Sequence, residues 1–249
     1  MTPAPVSERR RQSATRLWLR FATAVILIAV VCIDTTEASA HAIGGRDAAF
    51  VSSADGPDPV PFAYLGAKHM VTGYDHLLFL LGVIFYLRRI RDVALYATLF
   101  SLGHSITLLA GVALNLKVDA YLVDALIGMS VVYKAFDNLG GFKILSGRQP
   151  DNRVVVFGFG LVHGFGLATK LQALGLKQNG LLANLFSFNA GVEIGQILAL
   201  AMLVGMLASI RDTRFFSRAA LLVNFVLMFL GFMLTGYQLA GYSFSRGTG

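Results

Sequence analysis

Cysteine is all but missing from this chain of 249 residues: Cys32 is the only one. A single thiol closes no intrachain disulfide and cannot supply the paired thiolates of a zinc or iron–sulfur site, so metal chemistry here must use nitrogen and oxygen donors. Charge is scarce as well. Charged residues make up 14% of the chain, against about 25% in a soluble domain, and mean hydropathy is +0.65. Those values exclude an ordinary water-soluble domain. The formal net charge is +7, but the basic residues gather in the N-terminal tail and in the breaks between apolar runs. A bilayer explains that distribution without nucleic acid. No P-loop or other nucleotide-binding signature appears, which leaves no visible ATP-driven step.

What is present is a succession of apolar runs about 20 residues long with short polar breaks, the pattern of a polytopic all-α membrane protein. The N-terminus reads separately. Arg9, Arg10, Arg11, Arg16 and Arg20 precede the apolar stretch Phe21 to Ile33, and Ala38-Ser39-Ala40 is an A-x-A-like cleavage site. Residues 1–40 are therefore expected to be a secretory signal peptide, with an uncleaved signal anchor as the rival. Cys32 lies inside that stretch, so the cleaved chain would begin at His41 and contain no cysteine.

Residues 41–64, with Pro57, Pro59 and Pro61, form a short periplasmic lead-in without a pattern of its own. Six transmembrane helices are expected at 65–87, 92–115, 119–140, 154–173, 181–208 and 219–240, forming one domain over 65–240 with a short tail at 241–249. Arg88, Arg89 and Arg91, then Lys143, Arg148 and Arg153, then Arg211, Arg214 and Arg218 occupy alternate breaks. The intervening breaks are poorer, with Lys117, Lys170 and Lys177. The positive-inside rule then gives an N-out/C-out, multi-pass protein of a bacterial-type inner membrane.

Ionisable side chains cost several kcal/mol at bilayer depth, so those present need a reason. His69, Asp75 and His76 fall in the first run; His104 is central in the second and His163 in the fourth. Glu193 lies in the outer half of the fifth. All six fall between the midplane and the outer interface, which points to one site or one pathway. Imidazole with carboxylate help suits nickel, cobalt or zinc. His69 and His76 share a helical face but would sit about 10 Å apart along a straight axis. Either Gly73 loosens the helix or the two rings serve successive stations. Asp75 is turned about 100° from His76, so it is expected either to face another helix or to orient an imidazole. Ser101 and Ser105 extend the polar face of His104, and Asn189, Glu193 and Gln196 at i, i+4, i+7 form another. Gly160 and Gly164 flank His163, and Gly191 and Gly195 flank Glu193; such pairs let backbones approach, which is expected to turn both side chains toward a common interior. Lys134, Asp137 and Asn138 read as a local ion pair at one end of the third span.

His69-x5-Asp75-His76 in the first span after a signal resembles the H-x5-D-H motif of the HupE/UreJ family, membrane accessory proteins of hydrogenase and urease. F-S-L-G-H-S-I-T-L at 100–108, F-G-F-G-L-V-H-G at 157–164 and F-N-A-G-V-E-I-G-Q at 188–196 resemble the longer branch of that family. The resemblance implies six spans and uptake of nickel or cobalt without an ATPase, with His69, Asp75 and His76 as metal-handling residues. The second His-rich motif of the shorter nickel permeases, with two His-Gly pairs and a Glu, is absent; only His163-Gly164 is similar to it.

The expectation is an inner-membrane transition-metal permease or metal-handling accessory protein. Its substrate is a metal ion, nickel first and cobalt or zinc as alternatives; the resemblance alone adds a link to hydrogenase or urease maturation. The rivals are an intramembrane metal-dependent hydrolase, with Asp75 or Glu193 activating water, and a bis-imidazole haem protein using His76 and His104.

Overall fold

The structure is a computed structural model that describes residues 45–247, so the expected signal peptide, its cleavage site and His41 lie outside the described residues. The described residues form nine helices: α1 (Gly45–Ser53), α2 (Pro59–Thr72), α3 (Tyr74–Ile84), α4 (Ile90–Ala113), α5 (Ala120–Asn138), α6 (Gly141–Ser146), α7 (Asn152–Ala173), α8 (Leu181–Ala208) and α9 (Arg214–Gly247). No strand occurs among the described residues.

Among the described residues, four segments are long and apolar enough to cross a bilayer: α4, α7, α8 and residues Ala219–Gly247 of α9. The expected first span is not one helix. Gly73 has an extended backbone (φ −70°, ψ 98°) that separates α2 from the short apolar α3. The expected third span coincides with α5, whose 19 residues include Asp124, Lys134 and Asp137. The region before the first span also differs from expectation. Residues 45–53 are helical, Val51 is fully buried, and the rings of Phe50 and Phe62 lie 5.8 Å apart.

Local chemistry accounts for several boundaries. Asp119 caps α5 by accepting from the amides of Tyr121 and Leu122, and Asp151 caps α7 through Arg153 N. The α3 C-terminus is closed from a distance: Arg211 Nη2 donates to the carbonyls of Ile84 (2.6 Å) and Phe85 (3.3 Å), putting a cation where the helix dipole is negative.

The main helix pairings are α2 with α8, α4 with α7 and α5 with α9. Glycine permits all three, Gly128 and Gly231 doing so between α5 and α9. A Cβ at Gly66 would run into the Phe188 carbonyl and one at Gly191 into the Ala63 carbonyl. Gly103 and Gly160 play the same part between α4 and α7. Around α3 the burial is nearly complete, from Asp75 and His76 through Leu78 to Ile84. A helix buried all round belongs at the centre of a bundle. The outward faces are apolar, with Ile194, Ile197, Met202, Phe229, Phe232 and Met233 exposed, as suits hydrocarbon rather than water.

The two sets of connections gather at opposite ends. At one end, Asp58 N donates to Asn184 Oδ1 (2.7 Å), and Asn179 and Lys177 reach Asp55, tying the α1–α2 loop to the α7–α8 loop. At the other end a recess opens between the α3 and α5 C-termini and the α4 and α7 N-termini.

Candidate metal centre

His76 is the hub. It is 2% exposed, and it opens α3 just after the Gly73 break. Its ring centroid lies 5.0 Å from that of His69 on α2, 6.2 Å from His104 on α4 and 4.8 Å from His163 on α7. Two imidazoles bound to one tetrahedral ion hold their centroids about 5 Å apart, given metal–nitrogen distances of about 2.0–2.1 Å. The His69–His76 and His76–His163 separations match that spacing, and His104 stands slightly further off.

The helix break makes this convergence possible. Two consecutive half-helices redirect the chain at Gly73, as discontinuous helices do at ion sites in many transporters. Asp75 lies in the first turn of α3, where the helix dipole favours a carboxylate. Its Oδ1 accepts from both the backbone amide and the ring Nδ1 of His76, each at 2.8 Å. An ionised carboxylate can only accept, so Nδ1 carries the proton and Nε2 keeps its lone pair.

The remaining ring nitrogens are conspicuous for what they do not touch. His69 Nε2, His76 Nε2, His163 Nδ1 and both nitrogens of His104 are buried without a hydrogen-bond partner among the described residues. A buried polar atom left unpaired costs about 1–3 kcal/mol, and native proteins keep few of them. Five in one cluster fit a site that completes itself with a ligand. As they stand, no three His, Cys, Asp or Glu donors among the described residues converge tightly enough to hold an ion.

The other expected residues divide. Ser105 donates to Asn189 Oδ1 at 2.9 Å, joining α4 to α8, and Gln196 Nε2 donates to the Ala97 carbonyl at 3.0 Å. Ser101 Oγ and Gln196 Oε1 are buried and unpaired near the same α4–α8 seam. Glu193 does not join them. It is exposed on the outer face of α8, beside exposed Ile194 and Ile197. The cause is helical phase: Gly191 and Gly195 do press against α2, and a residue two positions from a glycine on that seam points about 200° away from it. His163 is adjacent to Gly164 and so stays buried at the α4–α7 seam.

Ser130 escaped the sequence reading. It is fully buried on α5, with Oγ 3.2 Å from His163 Nε2. A lone serine in an apolar helix, 33 residues from its partner, gives no local signal.

Below the imidazoles lies an aromatic layer. Phe79 is 5.3 Å from His163, 5.4 Å from Phe100 and 5.7 Å from Phe159, measured between ring centroids. Beyond it, the recess is lined by Tyr86, Tyr96, Lys134, Asp137, Gln149 and Asn152. The expected Lys134–Asp137 ion pair is present, and it extends further: Lys134 also donates to Asn152 Oδ1, and Asp137 accepts from Gln149.

A family model described as "HupE / UreJ protein" matches residues 45–246. No curated protein matches the chain, and no solved structure does.

Proposed function

Because the chain belongs to the HupE/UreJ family, we propose that it is an inner-membrane permease for a divalent transition-metal ion, nickel first, with cobalt and zinc as alternatives. The observation that carries this reading is the convergence of four histidines from α2, α3, α4 and α7 around His76, with five buried ring nitrogens unpaired. Imidazole donors of this kind suit nickel, cobalt and zinc.

In this reading the chain crosses the membrane six times, the broken α2–α3 pair forming one crossing and α5 another. Both termini of the mature chain face the periplasm, and the recess around Lys134 and Asp137 opens to the cytoplasm. The ion meets His69 first, the one residue of the four that is not fully buried. His76 shares it at a ring separation of 5.0 Å, and the Asp75 carboxylate supplies negative charge in a low-dielectric setting and keeps Nε2 of His76 available. Passage onward requires the Phe79–Phe100–Phe159 layer to part. With no nucleotide site in view, a gradient of the ion or of protons drives the flow.

The packing favours a small ion over a macrocycle. Phe100 stacks on His104 with centroids 6.2 Å apart, and the His163 ring lies 4.8 Å from that of His76, so both rings already have close aromatic neighbours.

The test is uptake by purified protein in liposomes, with radioactive nickel, cobalt and zinc offered separately and bound metal measured by elemental analysis. Wild-type protein should accumulate at least one ion, and His76→Ala should not. Wild-type protein that neither binds nor moves any of the three ends the permease reading.

A further inference from the structure

The structure assigns to Ser130 the role of a positioning residue: it fixes the tautomer of His163 so that Nδ1, not Nε2, is that ring's donor atom toward a metal ion. The inference rests on the permease reading for its ligand but not for its geometry.

Ser130 Oγ lies 2.6 Å from the Ile127 carbonyl oxygen and 3.2 Å from His163 Nε2. A carbonyl has no hydrogen to give, so the contact with Ile127 must use the hydroxyl's single proton. The hydroxyl can then only accept from His163, and Nε2 must carry a hydrogen. A neutral imidazole protonated at Nε2 has its lone pair on Nδ1. Nδ1 is the atom of His163 left buried without a partner.

The neighbouring ring is fixed the opposite way. Asp75 holds the proton of His76 on Nδ1, which frees Nε2. Two rings with centroids 4.8 Å apart therefore present lone pairs from different ring positions. Their outer partners also differ in strength. A carboxylate raises the basicity of the imidazole it orients, whereas a neutral hydroxyl whose own proton is already committed is a weaker acceptor. His163 is accordingly the weaker donor of the pair.

Nitrogen-15 spectra of histidine-labelled protein in lipid, free of added metal, read the tautomer directly. Wild-type His163 should appear as the Nε2–H form. Ser130→Ala should turn this into a mixture of tautomers, and Ser130→Thr, which keeps a hydroxyl, should restore it. Nickel affinity of Ser130→Ala should fall about 10–100-fold, the usual cost of removing a ligand's outer partner, with helix content unchanged. A wild-type His163 protonated on Nδ1 overturns the assignment whatever the variants do. So does a Ser130→Ala protein with wild-type tautomer and affinity. If the spectra fit but wild-type protein binds none of the three metals, the tautomer assignment stands and the permease reading falls.

Discussion

The ring of His69 lies 5.0 Å from the ring of His76, although seven residues separate them. On a straight helix that interval is about 10 Å of axial rise. Gly73 removes the difference, and it does so with ordinary dihedral angles that any residue could adopt. What glycine supplies is space. A Cβ there would stand 2.9 Å from His76 Nδ1, 2.9 Å from the His69 carbonyl oxygen and 3.1 Å from Asp75 Oδ1.

Gly73→Ala should therefore preserve the helices but disturb the Asp75–His76 pair. Nickel binding by the purified variant is expected to weaken at least about 10-fold, the lower end for loss of a ligand's outer partner, with its circular dichroism unchanged. Wild-type affinity would mean that the pair tolerates the displacement.

Asp75→Asn should act through the same bond by a different route. An amide can offer its own hydrogen to Nδ1 and so release the tautomer, leaving a weakened site rather than an empty one. Isothermal titration should show an affinity loss of about 10–100-fold. Complete loss would place Asp75 among the direct ligands.

The proximity of the rings bears on whether His69 and His76 act together or in turn. With centroids at metal-sharing distance, His69→Ala and His76→Ala should both lower equilibrium binding, not only the rate of uptake. Bound metal after dialysis decides it: a His69→Ala protein that retains a full complement but fills slowly would restore the idea of two stations.

Glu193→Gln should retain metal binding, because this carboxylate is exposed on the outer face of α8 and the cluster is not. Elemental analysis of the variant beside His76→Ala is the direct comparison. A metal-free Glu193→Gln protein would require α8 to rotate in the working state.

Outside the membrane, hydrogen bonds from Asn179 and Lys177, with the Lys177 charge, hold the Asp55 carboxyl below its ordinary value of 3.8. A lowered folded value means that the stabilising contribution is complete above 3.8 and disappears as pH falls through the lower value. Spin labels placed at Ser52 and Gln178 should thus show a constant separation from pH 8 to 5 and a broader distribution near pH 3. Asp55→Asn should remove that pH dependence. A separation that does not respond to pH in wild-type protein would show that the loops are held by other contacts.

The side chains that gather around His76 stood out in the sequence because buried charge is expensive: His69, Asp75, His76, His104 and His163 lie in apolar surroundings. The same argument misplaced Glu193, since expense at a given depth says nothing about which face a residue occupies. Phase relative to Gly191 and Gly195 carries that information, and it was present in the sequence. Gly73 was visible as a loosening but not as a break, because its conformation is settled by the contacts of α3. The ordered α1 left little trace: nine residues with one fully buried side chain lack a readable period. Ser130 could not be found from local pattern, as its meaning depends on a ring brought to it by another helix.

The polar network at the end of α5 has a consequence for how the protein is made. Lys134 and Asp137 find partners in Gln149 and Asn152, which follow α5 in the chain. Charged residues centred in a lone inserting helix cost about 2.5–3.5 kcal/mol each on the translocon scale, and less toward its ends. During synthesis α5 leaves the ribosome with Lys134 and Asp137 able to pair with each other, but before the Gln149 and Asn152 amides that complete their hydrogen bonds exist. The polar end of α5 is therefore completed only after the segment leading into α7 has been made, later than the helix itself.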